Sequence, residues 1–336
     1  TAPRPVAEAI NLRHNPLDEA SRKTLADYRS RTGVGMGFLE DDIARLNEQK
    51  ARELWLADSG VARYSQKETV WTGLKHEPES ESLFGLLAEL GGTGDAQLVR
   101  EDLERRVWRV LEAAGHDTQL RHEIFDRAAT PLNCDDSAAL NFSNLEVLVE
   151  IQEAAKGVEG GKLTAKPLLK LAKGLFRLDQ LDSYARTHSQ EHPEADPLEV
   201  SLAYRTGLAS KFHLPGQPRH MRFARLGGVT LEALNSAEEQ LRAAERSPKL
   251  LNYLVELPLW DSHLKLTFSR SFEALNEPFD QRLQAVFEKS TALNDVDYLD
   301  QMNQILREQQ AAHKGESERL TKEALKLGDL SPCVIP

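Results

Sequence analysis

Cysteine is almost absent from this chain: its 336 residues hold two, Cys134 and Cys333, far apart in sequence. So sparse a set supports neither a disulfide framework nor a metal-binding cysteine pair, and it suits thiols that work in a reducing compartment. Long hydrophobic runs are also missing. No stretch approaches the roughly eighteen uninterrupted apolar residues of a membrane span, and residues 1–30 lack the basic-then-apolar layout of a signal peptide, so membrane insertion is excluded. There is no basic stripe either. The net charge of -11 is spread over mixed Glu, Lys and Arg faces that could not displace counterions from nucleic acid, and neither DNA nor RNA is expected as a partner. A P-loop, a dinucleotide-binding glycine pattern and a G-x-S-x-G elbow are all lacking. The ten histidines include His213 and His220 within one loop, but no histidine or cysteine spacing suggests a preorganised ligand set. No metal or organic cofactor is expected. The chain starts at Thr1, without methionine and beside prolines, which leads us to expect a piece of a longer protein.

What is present is helical pattern in quantity. With 40% hydrophobic residues over 336 positions, the chain can bury one large core or two modest ones. In the stretch EDLERRVWRVLEAAG, Leu103, Val107, Val110, Leu111 and Ala114 fall on one helix face, and Gly115 is placed as its C-terminal cap. Asp117 can cap the next helix, where Leu120, Ile124 and Ala128 recur before Pro131 interrupts. Leu140, Asn144, Leu148, Ile151 and Ala155 trace a further face that ends at Gly157 and a GVEGG hinge. Leu168, Leu171, Leu175, Leu178 and Asp182 mark the helix after it, with Leu181 widening its apolar side. Asp196, Pro197 and Glu199 carry helix start signals ahead of Leu202, Tyr204 and Leu208. Only residues 213–230, rich in Pro and Gly, depart clearly from helical character, with an extended piece expected around Met221 to Phe223. Near the N-terminus, Ile10 and Leu12 read as a short extended segment, Asn15-Pro16 as a turn, and Leu17, Ala20, Leu25 and Tyr28 as a helix. That cadence fits the last unit of a leucine-rich repeat and equally a plain turn between unrelated elements.

The segment PLNCDDS, around Cys134, carries the chemistry. Pro131 stops one helix, Asn133 or Cys134 can act as N-cap of the next, and Asp135, Asp136 and Ser137 fall in its first turn. Free N–H groups there favour a thiolate, whereas the neighbouring carboxylates oppose one. Two readings stand. In one, Cys134 packs and the aspartates merely cap. In the other it is a nucleophile for acyl transfer from a thioester to an amine, and a carboxylate two residues on accepts the ammonium proton.

Several blocks, taken in order, are similar to one family. They are ETVWTGLKHEPES at 68–80, NCDDSAALNFSNLEVLV from Asn133, LFRLDQLDSYA from Leu175, and EVSLAYRTGLASKFHLP from Glu199 with MRF and GVT after it. Between about Phe38 and Lys289 the chain resembles the novel ubiquitin-ligase domain of bacterial type III secreted effectors, the IpaH-like or SspH-like family. The resemblance implies an all-α, multi-helix domain with two helical subdomains, preceded by a short leucine-rich-repeat cap. Its boundaries are residues 1–37 for the repeat end and connector, 38–327 for the ligase domain and 328–336 for a tail. It implies that Cys134 accepts ubiquitin as a thioester from a charged host conjugating enzyme, and that Asp136 assists attack by a lysine of a host protein. Asp135, in the unspecified middle position, receives no role. Arg177 and Asp179 become supporting candidates, Arg177 organising the site electrostatically or serving as an ion-paired helix-face arginine, and Asp179 serving the site or a cap. Trp71 reads as a packing anchor, Tyr204 as a core residue, and Arg222 as a partner contact or a loop cap. Cys333, in the tail, is expected to be inert. The implied setting is a bacterial effector acting in the host cytoplasm. Two alternatives remain: a cysteine hydrolase or deamidase in which a histidine such as His188 or His213 polarises Cys134, and a non-catalytic helical scaffold.

Overall fold

Apolar residues at helical spacing need a partner surface, and in this chain they find it almost entirely in other helices. The computed structural model describes residues 9–10, 18–32, 35–36, 40–56, 61–289 and 295–328. Cys333, Leu12, Asn15, Pro16 and Leu17, on which part of the sequence reading rests, lie outside them.

The backbone groups into two units. The first comprises residues through Glu146 together with Pro218–Arg222, and the second comprises Val147–Gln217 and Phe223 onward. The first begins with β1 (Ala9–Ile10), α1 (Glu19–Thr32) and β2 (Gly35–Met36), the two short strands pairing in parallel with Ala9 opposite Gly35 and Ile10 opposite Met36. Then come α2 (Glu40–Trp55), α3 (Val61–Lys75), α4 (Ser80–Glu89), a 3-10 turn at Leu90–Gly92, α5 (Gly94–Leu98), α6 (Arg100–His116), α7 (Thr118–Ala128) and the start of α8 (Asp135–Glu159). The second unit takes up α8 from Val147 and adds α9 (Ala165–Glu191), α10 (Pro197–Leu208), α11 (Ala224–Gly227), α12 (Leu231–Arg246), α13 (Pro248–Glu256), α14 (Pro258–Thr267), α15 (Ser269–Glu288) and α16 (Asp295–Leu327). The expected all-α class is borne out, with the β1–β2 pair as the small exception. No helix among the described residues is long and apolar enough to cross a membrane.

Indole rings organise the first core. Trp71 is wholly buried and packs on Phe84 and Trp108 at ring separations of 4.9 and 6.2 Å. A buried indole needs a partner for its N–H. Trp71 donates to Glu48 Oε1 (2.8 Å), Trp55 to the Leu87 carbonyl (2.8 Å) and Trp108 to the Trp55 carbonyl (2.8 Å). In the second unit one apolar cluster joins α9, α13, α14 and α16 around Trp260, whose N–H donates to Thr321 Oγ1 at 2.9 Å. Another cluster joins α9, α10 and α12 around Leu181, Val200, Leu208 and Leu241.

Several local expectations are confirmed in atomic terms. The α6 face Leu103, Val107, Val110, Leu111 and Ala114 is buried throughout. Asp117 caps α7 by accepting from Leu120 N–H at 2.9 Å, and Asp196 caps α10 by accepting from Leu198 and Glu199. Others need correction. Gly115 lies inside α6, which runs to His116 because Asp117 supplies the break. The glycine turn after α8 comes at Gly160 and Gly161, the latter with φ 62°, and Gly157 is still helical. Met221 to Phe223 forms no strand; the backbone there is irregular and leads into α11. In α1, Ala20 and Tyr28 are exposed instead of forming a buried stripe.

The largest correction concerns α8. Asn144 is exposed and Leu140 only half-buried, whereas Asp136, Ser137, Ala138, Asn141, Phe142, Ser143, Leu145, Glu146 and Val149 are buried. Many of these buried positions are polar, so apolar periodicity missed the buried face of the first half of α8, whereas farther along Leu148 is buried and Ile151 and Ala155 pack against the second-unit core. A helix that buries carboxylates must hold partners for them.

Candidate functional site

Cys134 sits where a helix begins, and the local hydrogen bonds explain why. Pro131 and the irregular residues after it end the α7 segment, and α8 starts at Asp135. Ser137 Oγ accepts from the N–H groups of Asn133 (3.1 Å) and Cys134 (3.2 Å) and donates to the Cys134 carbonyl (2.6 Å). The Ser137 N–H donates in turn to Cys134 Sγ at 3.3 Å. This is a reciprocal capping arrangement with cysteine at the N-cap and serine in the third helical position. The thiol is partly exposed.

The two aspartates have different surroundings. Asp136 is fully buried, and its carboxylate oxygens accept from the backbone N–H of Arg222 at 2.9 and 2.8 Å. Asp135 keeps 23% of its side chain exposed and forms an ion pair with the Arg222 guanidinium. The same guanidinium donates to the Gly92 carbonyl at 3.1 Å. Gly92 is needed as glycine here: a Cβ at that position would overlap the Asp135 carboxylate.

The loop that brings Arg222 is fixed along its length by carboxylates of the first unit. Asp95, 2% exposed, accepts from the backbone N–H groups of Arg219 (3.0 Å) and His220 (2.8 Å) and lies 3.2 Å from His220 Nδ1. Arg106 braces Asp95 from behind at 2.7 Å and reaches Glu146 of α8 with two nitrogens, one of them at 2.7 Å. Burial alone would pull the Arg106 guanidinium down, but Glu146 and then Asp95 outweigh it and hold the group above its ordinary range. Gly94 allows the close approach of the loop, since a Cβ there would stand about as near to His220 backbone atoms as packing allows.

Arg177 and Asp179 belong to the second unit. Arg177 bonds Glu245 (2.6 Å) and donates to the His213 carbonyl (3.2 Å), which is the ion-paired helix-face role. Asp179 is exposed and accepts from Gln180 at 3.1 Å. His188 and His213 are in the second unit as well. His188 Nδ1 lies 3.1 Å from the hydroxyl of buried Tyr204, and its ring lies 4.6 Å from that of His192. Contrary to the sequence reading of ligand spacings, His188 and His192 do stand in a His-x-x-x-His spacing; no cluster of three or more ligand-type side chains suited to a metal occurs among the described residues. Sequence reasoning gave no role to Asp135, Gly92, Asp95 or Arg106. The acidic pair beside the cysteine was visible, but its partners lie far away along the chain.

A capped, partly exposed cysteine flanked by carboxylates in a helical domain defines a class when set against known families. The family described as "C-terminal novel E3 ligase, LRR-interacting" matches residues 55–271, and this chain belongs to it. It is similar to the E3 ubiquitin-protein ligase ipaH3 of Shigella flexneri, 27% identical over 305 residues that make up 86% of this chain and 52% of the relative. It is also similar to the probable E3 ubiquitin-protein ligase ipaH4.5 of the same species, at 26% over 87% and 53% of the two chains. The E3 ubiquitin-protein ligase ipaH9.8 of Shigella sonnei matches at 27% over 86% and 55%. The chain spans about half the length of the curated relatives it matches.

Proposed function

We propose that this chain carries a ubiquitin ligase in which Cys134 holds ubiquitin as a thioester between a charged conjugating enzyme and an acceptor lysine. One observation carries the assignment: the family's helical domain presents Cys134 partly exposed at the head of α8, with a main-chain N–H directed at its sulfur. In the first step the Cys134 thiolate attacks the carbonyl carbon of the donor thioester, the donor's C–S bond breaks, and the donor enzyme leaves as thiolate. In the second step a lysine amine, after loss of a proton, attacks the new thioester; the Cys134 C–S bond breaks and an amide forms. The Ser137 N–H is placed to stabilise negative charge on the sulfur as it leaves. Asp136 serves the second step. Arg177 and Asp179 act as structural groups of the second unit.

The partners are ubiquitin, a host conjugating enzyme and a host substrate protein, and the setting is a bacterial effector secreted into the host cytoplasm. Residues 1–37 form the end of a leucine-rich-repeat region, residues 38–327 the ligase domain and residues 328–336 a tail. The parallel pairing of Ala9 with Gly35, with a helix between them, supports the repeat assignment, because that spacing falls within the roughly 20–29-residue period of such repeats.

The test is incubation with ubiquitin, activating enzyme and charged conjugating enzyme, read on a non-reducing gel. The native chain is expected to form a thiol-sensitive adduct. Cys134→Ala should form none, and Asp136→Asn should form it and discharge it more slowly. Transfer by Cys134→Ala at the native rate would sink the assignment.

A further inference from the structure

Helix α9 ends on a pair of histidines one turn apart. His192 lies just past the last helical residue, but its N–H still donates to the His188 carbonyl at 2.9 Å, so helical spacing holds across the pair. The two rings lie 4.6 Å apart, centre to centre, and are inclined by 36°. Each is held at the same atom. His188 Nδ1 lies 3.1 Å from the hydroxyl of buried Tyr204 on α10, and His192 Nδ1 lies 3.3 Å from Glu194 Oε1. Both partners can accept from a ring N–H, and a ring protonated at Nδ1 keeps its lone pair on Nε2. No group among the described residues hydrogen-bonds either Nε2.

The surroundings favour a cation. The charged groups that act on the His188 ring are His192, Glu191 and Glu194, with no lysine or arginine among them, and the negative end of the α9 dipole adds to the two carboxylates. Burial first, and repulsion from His192 second, hold His188 below its ordinary value, so near neutral pH it has no proton to shed before binding a metal. Two nitrogens that share one zinc ion at about 2.1 Å each stand no more than about 4.2 Å apart. Rings this close come within that span, and the exposed His192 side chain has room to turn.

We propose that His188 and His192 form a two-histidine chelate for a borderline divalent cation such as Zn2+ at the end of α9, with Tyr204 and Glu194 orienting the two rings. The donor set selects the ion, because imidazole nitrogen suits Zn2+, Cu2+ and Ni2+ whereas Ca2+ and Mg2+ take oxygen ligands. Water fills the remaining positions, since no group of three ligand-type side chains occurs among the described residues. Glu194 stands behind His192 as carboxylates commonly stand behind metal-bound histidines. A bound ion ties the last turn of α9, through His188, to Tyr204 of α10. Neither Cys134 nor the thioester reading enters, so this site stands or falls independently of the ligase assignment.

The test is a Zn2+ titration of the untagged, chelator-stripped full chain near neutral pH, with its thiols alkylated so that cysteine binds no metal. The native chain is expected to bind Zn2+ saturably and to ignore Mg2+. His192→Ala, a change at an exposed position, and His188→Gln should each weaken binding at least about tenfold, and Glu194→Gln should weaken it by a smaller factor. His122→Ala, which alters an exposed histidine of the first unit, should bind like the native chain. Loaded with Cu2+ instead, the native chain should show an electron paramagnetic resonance spectrum with two nitrogen donors, and His192→Ala a spectrum with one. Native affinity in His192→Ala, a single nitrogen donor in the native spectrum, or no saturable uptake of Zn2+ by the native chain would each overturn the proposal.

Discussion

Arg106 shows what a single residue contributes to the site. Its guanidinium is 17% exposed and lies between Asp95 and Glu146, whose side chains are 2% and 6% exposed. Two buried carboxylates around one arginine are tolerable only while the arginine is there, because an unpaired buried charge carries a desolvation penalty of several kcal/mol. Arg106→Ala is therefore expected to lower unfolding free energy by about 3–5 kcal/mol, measured by urea denaturation. Arg106→Lys should rescue little, since an ammonium cannot reproduce the two-point contact with Glu146. The consequence reaches the site through Asp95, which would lose the brace that holds it against the Arg219 and His220 N–H groups.

At the scale of elements, legibility in the sequence tracks how closely burial follows apolarity. Helix α6 was readable because its buried face is apolar, and α7 and α10 because Asp117 and Asp196 cap them by side-chain hydrogen bonds that depend on local sequence alone. The first half of helix α8 was misread because Asp136 and Glu146 are buried on the strength of partners, Arg222 and Arg106, which no local pattern reveals. An N-cap at Asn133 or Cys134 was legible, and the different surroundings of the two aspartates were not. Helix α15 offers a separate test. It carries Pro278 in its interior, at an exposed position, where proline removes the N–H that would bond the carbonyl of Ala274. Pro278→Ala removes no buried contact, so it is expected to stabilise the protein by about 1–3 kcal/mol, seen as a higher midpoint in urea with unchanged slope.

The whole molecule should lose stability on mild acidification, and the second unit should lead. Burial holds His188 below its ordinary value, with His192 adding charge repulsion, and burial does the same for His313, with Lys265 adding to it. A histidine depressed in the fold binds fewer protons there than in the unfolded chain, so its contribution is complete above the unfolded value near 6.5 and is lost as pH falls through the lower folded value. Thermal melts from pH 7.5 downward should show the midpoint falling below about pH 6.5, and the combined His188→Gln and His313→Gln variant should show a shallower fall. A fall that starts only in the range where carboxylates titrate would reject this account. The segment from Pro218 to Arg222 adds a consequence of another kind. It comes back to Asp95 across 124 residues and to Asp136 across 86. Contacts so remote in sequence form only after the intervening chain has surrendered its freedom, whereas helices rise from neighbouring residues within microseconds. A chain folding from the unfolded state therefore passes through a stage in which its scaffold is already built and its thiol still lacks the loop that frames it.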